Sequence, residues 1–269
     1  MGFSKIEWTE RTWNPIIGCT KVSPGCTNCY AEKMAKRQIH IGMMRSQFSR
    51  NIADTFYDYS AVINLDSEGW NGEVVFRQNQ ISKPLHWRKP CMIFVCSMSD
   101  LFQEGIRDEW ICNVFEIIEQ CPQHTFQILT KRPGRAVQWF NEYKGFNFSN
   151  VWFGVTAENQ ATEDARVPKL ADVSTAVRFA SIEPMLEPID LVLEHSKIYL
   201  DWVIVGCESG PKRRPCKIEW IQSIVRQCEK AGVLCFVKAI HDEKGRVVKD
   251  MNKFPPDLRV RQIPEVNVA

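Results

Sequence analysis

From residue 92 onward, apolar runs and amphipathic stretches take turns along the chain. Met92 to Cys96 is an unbroken apolar run that stops at Ser97-Met98-Ser99-Asp100. A helix follows over 108–120, with Trp110, Ile111, Val114, Phe115 and Ile118 on one stripe. Thr125 to Leu129 is the next strand, ending in Thr130-Lys131-Arg132, and a helix is predicted over 133–143. Val151 to Val155 ends in Thr156-Ala157-Glu158-Asn159, and Val177 to Ala180 ends in Ser181-Ile182-Glu183-Pro184. Trp202 to Val205 ends in Gly206-Cys207-Glu208-Ser209-Gly210. A helix over 217–231 closes at Gly232, and Val233 to Val237 ends in Lys238. Short apolar strands alternating with helices predict a parallel sheet covered on both faces. Five or six such units in one chain favour an α/β fold of the barrel or partial-barrel kind.

The first third is less regular. Trp13 to Ile17 is a short apolar run, and 31–47 is rich in helix formers. Residues 48–70 mix polar and aromatic positions and are expected to form a less regular insertion. Trp70-Asn71-Gly72 signals a turn before the short strand Val74 to Phe76, and Ser82 with Pro84 suits the start of a short helix. No low-complexity linker divides the chain, so residues 1–269 are expected to form one domain, with a polar tail from about 241 laid across it.

The 44% hydrophobic and 25% charged content is ordinary for a globular protein. The net charge of +2 gives no strong basic field, which argues against non-specific nucleic-acid binding. No apolar leader or 18-residue apolar run occurs, so a cytoplasmic protein without a membrane span is expected. Eight of the 11 cysteines fall mostly in apolar strand or helix patterns, where a reduced thiol acts as a small hydrophobe.

The other three lie together in Gly18-Cys19-Thr20-Lys21-Val22-Ser23-Pro24-Gly25-Cys26-Thr27-Asn28-Cys29-Tyr30. The spacing is C-x6-C-x2-C on a Gly/Pro/Ser loop, and one turn can bring all three sulfurs to a point. Three thiolates are one fewer than a closed tetrahedral site uses. A metal with an open position is a reactive centre, and the reading preferred here is a [4Fe–4S] cluster with one iron open to a ligand. A structural zinc completed by a distant residue and a Cys26–Cys29 dithiol pair stay open as alternatives. Insertion 48–70 is a candidate cover for the loop.

In parallel α/β folds, ligands sit beyond the carboxyl ends of the strands. Asp100, Lys131, Arg132, Thr156, Glu158, Glu183, Glu208 and Lys238 would ring that mouth. A ring of both signs suits a zwitterion: Lys131 or Arg132 for its carboxylate, Asp100 or Glu158 for its amine. Lys212-Arg213-Arg214 reads as a solvated basic loop. The chain has no P-loop, G-x-G-x-x-G or G-x-S-x-G, so nucleotide-kinase and esterase readings lack their parts.

Several longer motifs carry a resemblance. They are Ile6-Glu7-Trp8-Thr9 through Thr12-Trp13-Asn14-Pro15, the cysteine stretch with Ala31, and Ser97-Met98-Ser99-Asp100-Leu101-Phe102. Leu129-Thr130-Lys131-Arg132-Pro133, Asn150-Val151-Trp152 and Asp201 through Gly206 add to them. Over nearly its whole length the chain resembles the phage-type three-cysteine family of radical S-adenosylmethionine-like proteins. The resemblance implies a partial TIM-type barrel with the cluster loop after the first strand. It implies a [4Fe–4S] cluster on Cys19, Cys26 and Cys29 with S-adenosylmethionine on the open iron. Ser97, Ser99, Asp100, Thr130, Lys131, Thr156 and Glu158 are then expected around that cofactor. An electron donor such as flavodoxin or ferredoxin is implied.

A branch similar in length and cysteine spacing is the queuine lyases, which cut the C–N bond of queuine to release 7-aminomethyl-7-deazaguanine. On that reading Glu183 and Glu208 would bind a free deazapurine, with Trp13, Asn14 and Phe153 at the base. Lys238 and Glu208 would be catalytic, Lys238 giving a proton to the leaving nitrogen. The chain departs from the family pattern at Cys207, which stands for a second glycine, and after Lys238, where Gln-Trp-Gly is missing. Two rivals are a radical repair or modification enzyme acting on a base within nucleic acid, and a zinc-stapled binding module.

Overall fold

The computed structural model describes residues 4–45, 50–64, 69–191 and 200–265, with side chains omitted at 45 and 50–53. The strands are β1 (Arg11–Trp13), β2 (Ile16–Ile17), β3 (Ile63–Asn64), β4 (Gly69–Trp70), β5 (Val75–Phe76) and β6 (Met92–Val95). They continue as β7 (Thr125–Thr130), β8 (Val151–Thr156), β9 (Val177–Ile182), β10 (Trp202–Gly206), β11 (Leu234–His241) and β12 (Val247–Val248). The helices are α1 (Tyr30–Arg45), α2 (Arg50–Val62), α3 (Asp108–Glu119), α4 (Pro133–Glu142), α5 (Gln160–Arg166) and α6 (Ile218–Ala231).

Eight strands form one sheet in the order β1-β6-β7-β8-β9-β10-β11-β12. All neighbours are parallel except β12, which runs antiparallel to the end of β11. The sheet is therefore α/β and mostly parallel, as the rhythm of the sequence predicts. Its ladder stays open at β1 and β12, and no closed barrel forms among the described residues.

Side chains nevertheless curl the sheet. The outer face packs under the helices through residues such as Phe126, Ile128, Phe153 and Val203. Helix α3 meets it with Ile111, Val114, Phe115 and Ile118, as an amphipathic stripe should. The inner face carries Phe94, Trp152, Phe179, Trp202 and Phe236, gathered around Trp8. Trp8 lies 4.9 Å from Phe94 on β6 and 6.3 Å from Trp202 on β10, so one ring reaches from one side of the sheet to the other. A Cβ on Gly154 would fall 2.6 Å from the Phe179 ring, which is why β8 carries no side chain there. A Glu7–Lys249 ion pair of 2.8 Å links the segment before β1 to the segment after β12 across the open seam.

The first third differs from expectation. Within 48–70, the stretch expected to be irregular, Arg50–Val62 is helix α2, and Ile63–Asn64 pairs with Gly69–Trp70. Tyr59 and Val62 anchor it, packing with Ala31, Ala35 and Ile39 of α1. Phe56 packs so closely on Gly42 that a Cβ there would come within 2.4 Å of it. Residues 46–49 and 65–68, where the α1 prediction ended and part of the insertion fell, lie outside the described residues. After 241 the tail adds β12 and buries Phe254 and Leu258. Among the described residues no helix is long and apolar enough to cross a membrane.

Candidate functional site

The parallel strands end on one side, and the cysteine loop crosses that side. Four groups of side chains at the strand ends grip it.

The first centres on Asp100, which follows β6 and is 6% exposed. Its Oδ1 accepts from Phe102 N at 3.0 Å and Thr130 Oγ1 at 2.6 Å; its Oδ2 accepts from Lys131 N at 2.9 Å and Arg132 Nη1 at 3.0 Å. Four donors use the acceptor capacity of the carboxylate. Asp100 is thus a bracket, and no lone pair is left for the amine proposed from sequence. Thr130 is equally committed, accepting from Arg132 N at 2.9 Å. Arg132, positioned this way, donates to Glu104 at 2.8 Å and to Thr20 O at 3.1 Å, and stands 4.0 Å from Cys19 Sγ.

The second centres on Glu158 after β8, whose side chain is fully buried. It accepts from Ser23 Oγ at 2.7 Å and pairs with Lys131 at 3.2 Å and Arg166 at 3.1 Å. Burial would raise its pKa; the two cations and the serine outweigh burial and hold the carboxyl below the usual range. Gly25 runs directly over it, since a Cβ there would overlap Glu158 Oε1.

The third centres on Glu208 after β10, 5% exposed. Arg214 grips it with Nη2 on Oε1 at 2.6 Å and Nε on Oε2 at 3.0 Å, and adds its backbone N–H at 2.7 Å. Asn28 Nδ2 donates to the same Oε2 at 3.0 Å, and Arg214 Nη1 donates to Pro24 O at 2.9 Å. Burial again works against the charge, but the Arg214 and Asn28 donors lower the pKa overall. Arg214, read from sequence as part of a solvated loop, is a clamp on the cysteine loop instead. Sequence alone could not show this, because its partners are six and 190 positions away.

The fourth is a set of backbone grips around β1 and β6. Ser99 Oγ donates to Gly18 O at 2.6 Å. Asn14 Oδ1 accepts from Ser97 Oγ at 3.1 Å and Met98 N at 3.0 Å. Tyr30 Oη donates to Ser97 O at 2.7 Å.

Held in this way, the loop carries three half-buried thiols, Cys19, Cys26 and Cys29. They lie close enough for Cys19 to feel the charge of both others. Burial pushes the Cys19 thiol up to about 12, Asp100 adding to the rise and Arg132 opposing it. A thiol held that high is a poor redox nucleophile by itself and needs a cation to ionise it. Among the described residues no three His, Cys, Asp or Glu side chains are already gathered as a metal-holding group.

One pair at the mouth stands apart. Lys238 Nζ on β11 reaches both oxygens of Glu183, at 2.6 and 2.8 Å, with 16% and 21% of the two side chains exposed. Thr156, at the end of β8, is buried, and its carbonyl accepts from Arg166 Nη1 at 2.7 Å.

Two expected base-stacking residues are elsewhere. Trp13 is 1% exposed, packs on Phe126 with centroids 5.8 Å apart, and donates Nε1 to Gln80 O at 2.9 Å. Phe153 is fully buried against Phe102 and Phe140. Both belong to the outer core, because the strand alternation turns them away from the concave face.

Neither a curated protein nor a solved structure matches the chain. One family model does, over residues 3–254, and by that match the chain belongs to the family described as a protein of unknown function (DUF5131).

Proposed function

We propose that the chain is a radical S-adenosylmethionine enzyme acting on a flat nitrogen heterocycle, with queuine as the substrate its family resemblance suggests. One arrangement carries the reading. A three-thiol loop is gripped from several strand ends at the carboxyl side of a parallel sheet, beside an ion pair, Glu183–Lys238, whose charged atoms bond to each other among the described residues. The curled inner face supports the further reading of a partial barrel, with the mouth at its open end.

The donor chemistry fits the implied cofactor. Three soft sulfur donors on one loop suit an iron–sulfur cluster, and Cys19, Cys26 and Cys29 would hold it. With S-adenosylmethionine bound, such a cluster supplies one-electron cleavage of the sulfonium and abstraction of a hydrogen atom. The protein's own residues do the rest. Asp100, Thr130, Arg132, Glu158, Glu208 and Arg214 fix the loop that carries the thiols. Glu183 offers two carboxylate oxygens, which match the adjacent N–H donors of a 7-deazaguanine. When the base takes Glu183, Lys238 is released and can give a proton to a departing nitrogen. Lys131, paired with Glu158 and 21% exposed, is a cation available to a carboxylate.

Anaerobic reconstitution with iron and sulfide tests this. The expected product is a brown protein that, once reduced, releases 5′-deoxyadenosine from S-adenosylmethionine and turns queuine into 7-aminomethyl-7-deazaguanine. A colourless protein holding one zinc would put the binding-module reading in its place. Turnover of a base only inside an oligonucleotide would move the activity to nucleic-acid repair or modification.

A further inference from the structure

Glu7, in the segment before β1, uses only half of its carboxylate. One oxygen, Oε1, bonds to Lys249 Nζ at 2.8 Å and ties the seam. The other, Oε2, is buried and has no hydrogen-bond partner among the described residues. A buried carboxylate oxygen left unbonded costs stability, so its place in the fold needs a reason.

The groups around it supply one. On one side is Trp8, whose ring lies on the concave face against Phe94, Phe179 and Trp202. On the other is the end of β11. There Val205 pairs with Val237 and Gly206 with Ala239, so Lys238 is the extra residue of a bulge. Bulges re-aim a side chain out of the alternation of its strand. Arg261 Nη2 donates to Lys238 O at 3.2 Å and to Lys249 O at 2.7 Å, which sets the two lysines side by side. Burial works to raise the Glu7 pKa, but the Lys249 bond and the nearby Lys238 charge outweigh it and hold the carboxyl below its ordinary range. Lys238 itself sits on Glu183, with both contacts on that one side chain. Cys207 also feels Lys238, but burial pushes its thiol up, and a neutral thiol is a weak acceptor.

We propose that Glu7 Oε2 is a second seat for the Lys238 ammonium, taken when a ligand takes Glu183. The role with a ligand rests on the substrate reading above. A neutral base on Glu183 strips Lys238 of its anion, and a charge stranded away from water costs far more than a change of partner. The flexible four-carbon stem of a lysine lets its ammonium change partners while the backbone stays fixed. Lys249 is 51% exposed, so water can take over part of its charge while Glu7 serves both lysines. Glu7 is then a positioning residue: it keeps the displaced ammonium inside the mouth, and no bond is made or broken in the exchange.

Two measurements test this. The first is thermal melting of the full chain carrying Glu7→Gln, Glu183→Gln or both. With Glu183→Gln alone, Lys238 still has Glu7, so the double variant should lose more than the sum of the two single losses. Additive losses overturn the proposal and leave Oε2 to a bound water. The second is calorimetric titration of the anaerobically reconstituted protein with 7-aminomethyl-7-deazaguanine. Glu7→Gln should weaken binding about fivefold. In a Lys238→Met background the same change should have no effect, because there is no ammonium to seat. Lys249→Met, which breaks the seam pair and spares Oε2, should not weaken binding. A Glu7→Gln loss that persists without Lys238, or is matched by Lys249→Met, makes Glu7 a seam residue and overturns the proposal. If the wild-type protein binds no such base, the substrate reading fails, and the melting comparison decides the second seat by itself.

Discussion

Two regions of the mouth use the same residue types for opposite ends. In the brace, Asp100, Glu158 and Glu208 are buried and each accepts from several protein donors. At the open pair, Glu183 has a single hydrogen-bond partner among the described residues, Lys238, and both side chains keep some exposure. Buried, saturated carboxylates hold shape, because losing one donor strands a charge away from water. A pair with one partner each gives up fewer contacts to a ligand than a carboxylate held by several donors. The difference marks Glu183 and Lys238 as the groups free to meet a substrate.

The sharpest way to break the comparison is to remove the centre of the brace. Arg132→Ala takes the cation from Asp100 and the donors from Thr20 and Glu104. With 5% and 8% of the Arg132 and Asp100 side chains exposed, the pair is a buried one. A loss of about 3–5 kcal/mol is expected in chemical denaturation. A loss below about 1 kcal/mol would mean Asp100 does not need its cation, and the brace would be no different from the open pair.

Glu208→Ala comes next. It strands the Arg214 guanidinium and Asn28, for a cost of about 1–3 kcal/mol. It should also speed alkylation of Cys26 and Cys29 by iodoacetamide, since both Arg214 and Asn28 tie the loop down. Unchanged alkylation would detach Glu208 from the loop.

Much of the frame was legible in the sequence, and for physical reasons. Apolar runs of strand length between amphipathic helices read as buried strands, and the polar residues that follow them, such as Asp100 after β6 and Glu208 after β10, mark where each strand ends. The roles at the mouth were not legible to the same degree. Asp100 and Glu183 look alike in one dimension, each acidic and each just past a strand. What separates them is the count of donors around them, and those donors come from residues as far apart as Asp100 and Arg132 or Asn28 and Glu208. Phe153 lies on a strand buried on both faces, which gives no alternation to say which face is inward, and β1 with Trp13 is three residues long, too short to show one. Helix α2 is hard to see in the sequence because Tyr59 and Phe56, which face α1, interrupt the aliphatic pattern that marks a helix stripe.

Acid and base should pull on the two kinds of carboxylate in opposite directions. Glu158 and Glu208 have pKa values lowered below their ordinary 4.5. Their contribution is complete above that value and disappears as pH falls through the lower folded pKa. Glu163, buried on α5, goes the other way, raised to about 7 by burial and by its neighbours Asp164 and Asp190. Its folded state holds a proton that the unfolded state has given up, so stability is complete below 4.5 and declines as pH rises through about 7. Glu163→Gln should therefore raise stability at pH 8, by on the order of 1 kcal/mol, and leave it nearly unchanged at pH 4. Equal effects at both pH values would show that folding does not move the Glu163 pKa.

The smallest effect on stability, and the one that decides the comparison, is expected at Glu183. Glu183→Gln removes one ion pair but keeps the side-chain shape and an acceptor for Lys238, so denaturation should move by about 1 kcal/mol, well short of Arg132→Ala. Affinity for a 7-deazaguanine base should nonetheless fall about tenfold, because the amide can accept only one of the two N–H donors and turns a donor of its own toward the other. Lys238→Met should also leave the fold intact, and it should spare base affinity while slowing C–N cleavage, since the lysine acts after the base has taken its partner. Measured side by side, the two variants divide recognition from proton delivery. If Glu183→Gln unfolds the protein as readily as Arg132→Ala, Glu183 belongs to the brace. If it changes neither stability nor base affinity, the substrate is met by some other group on the concave face.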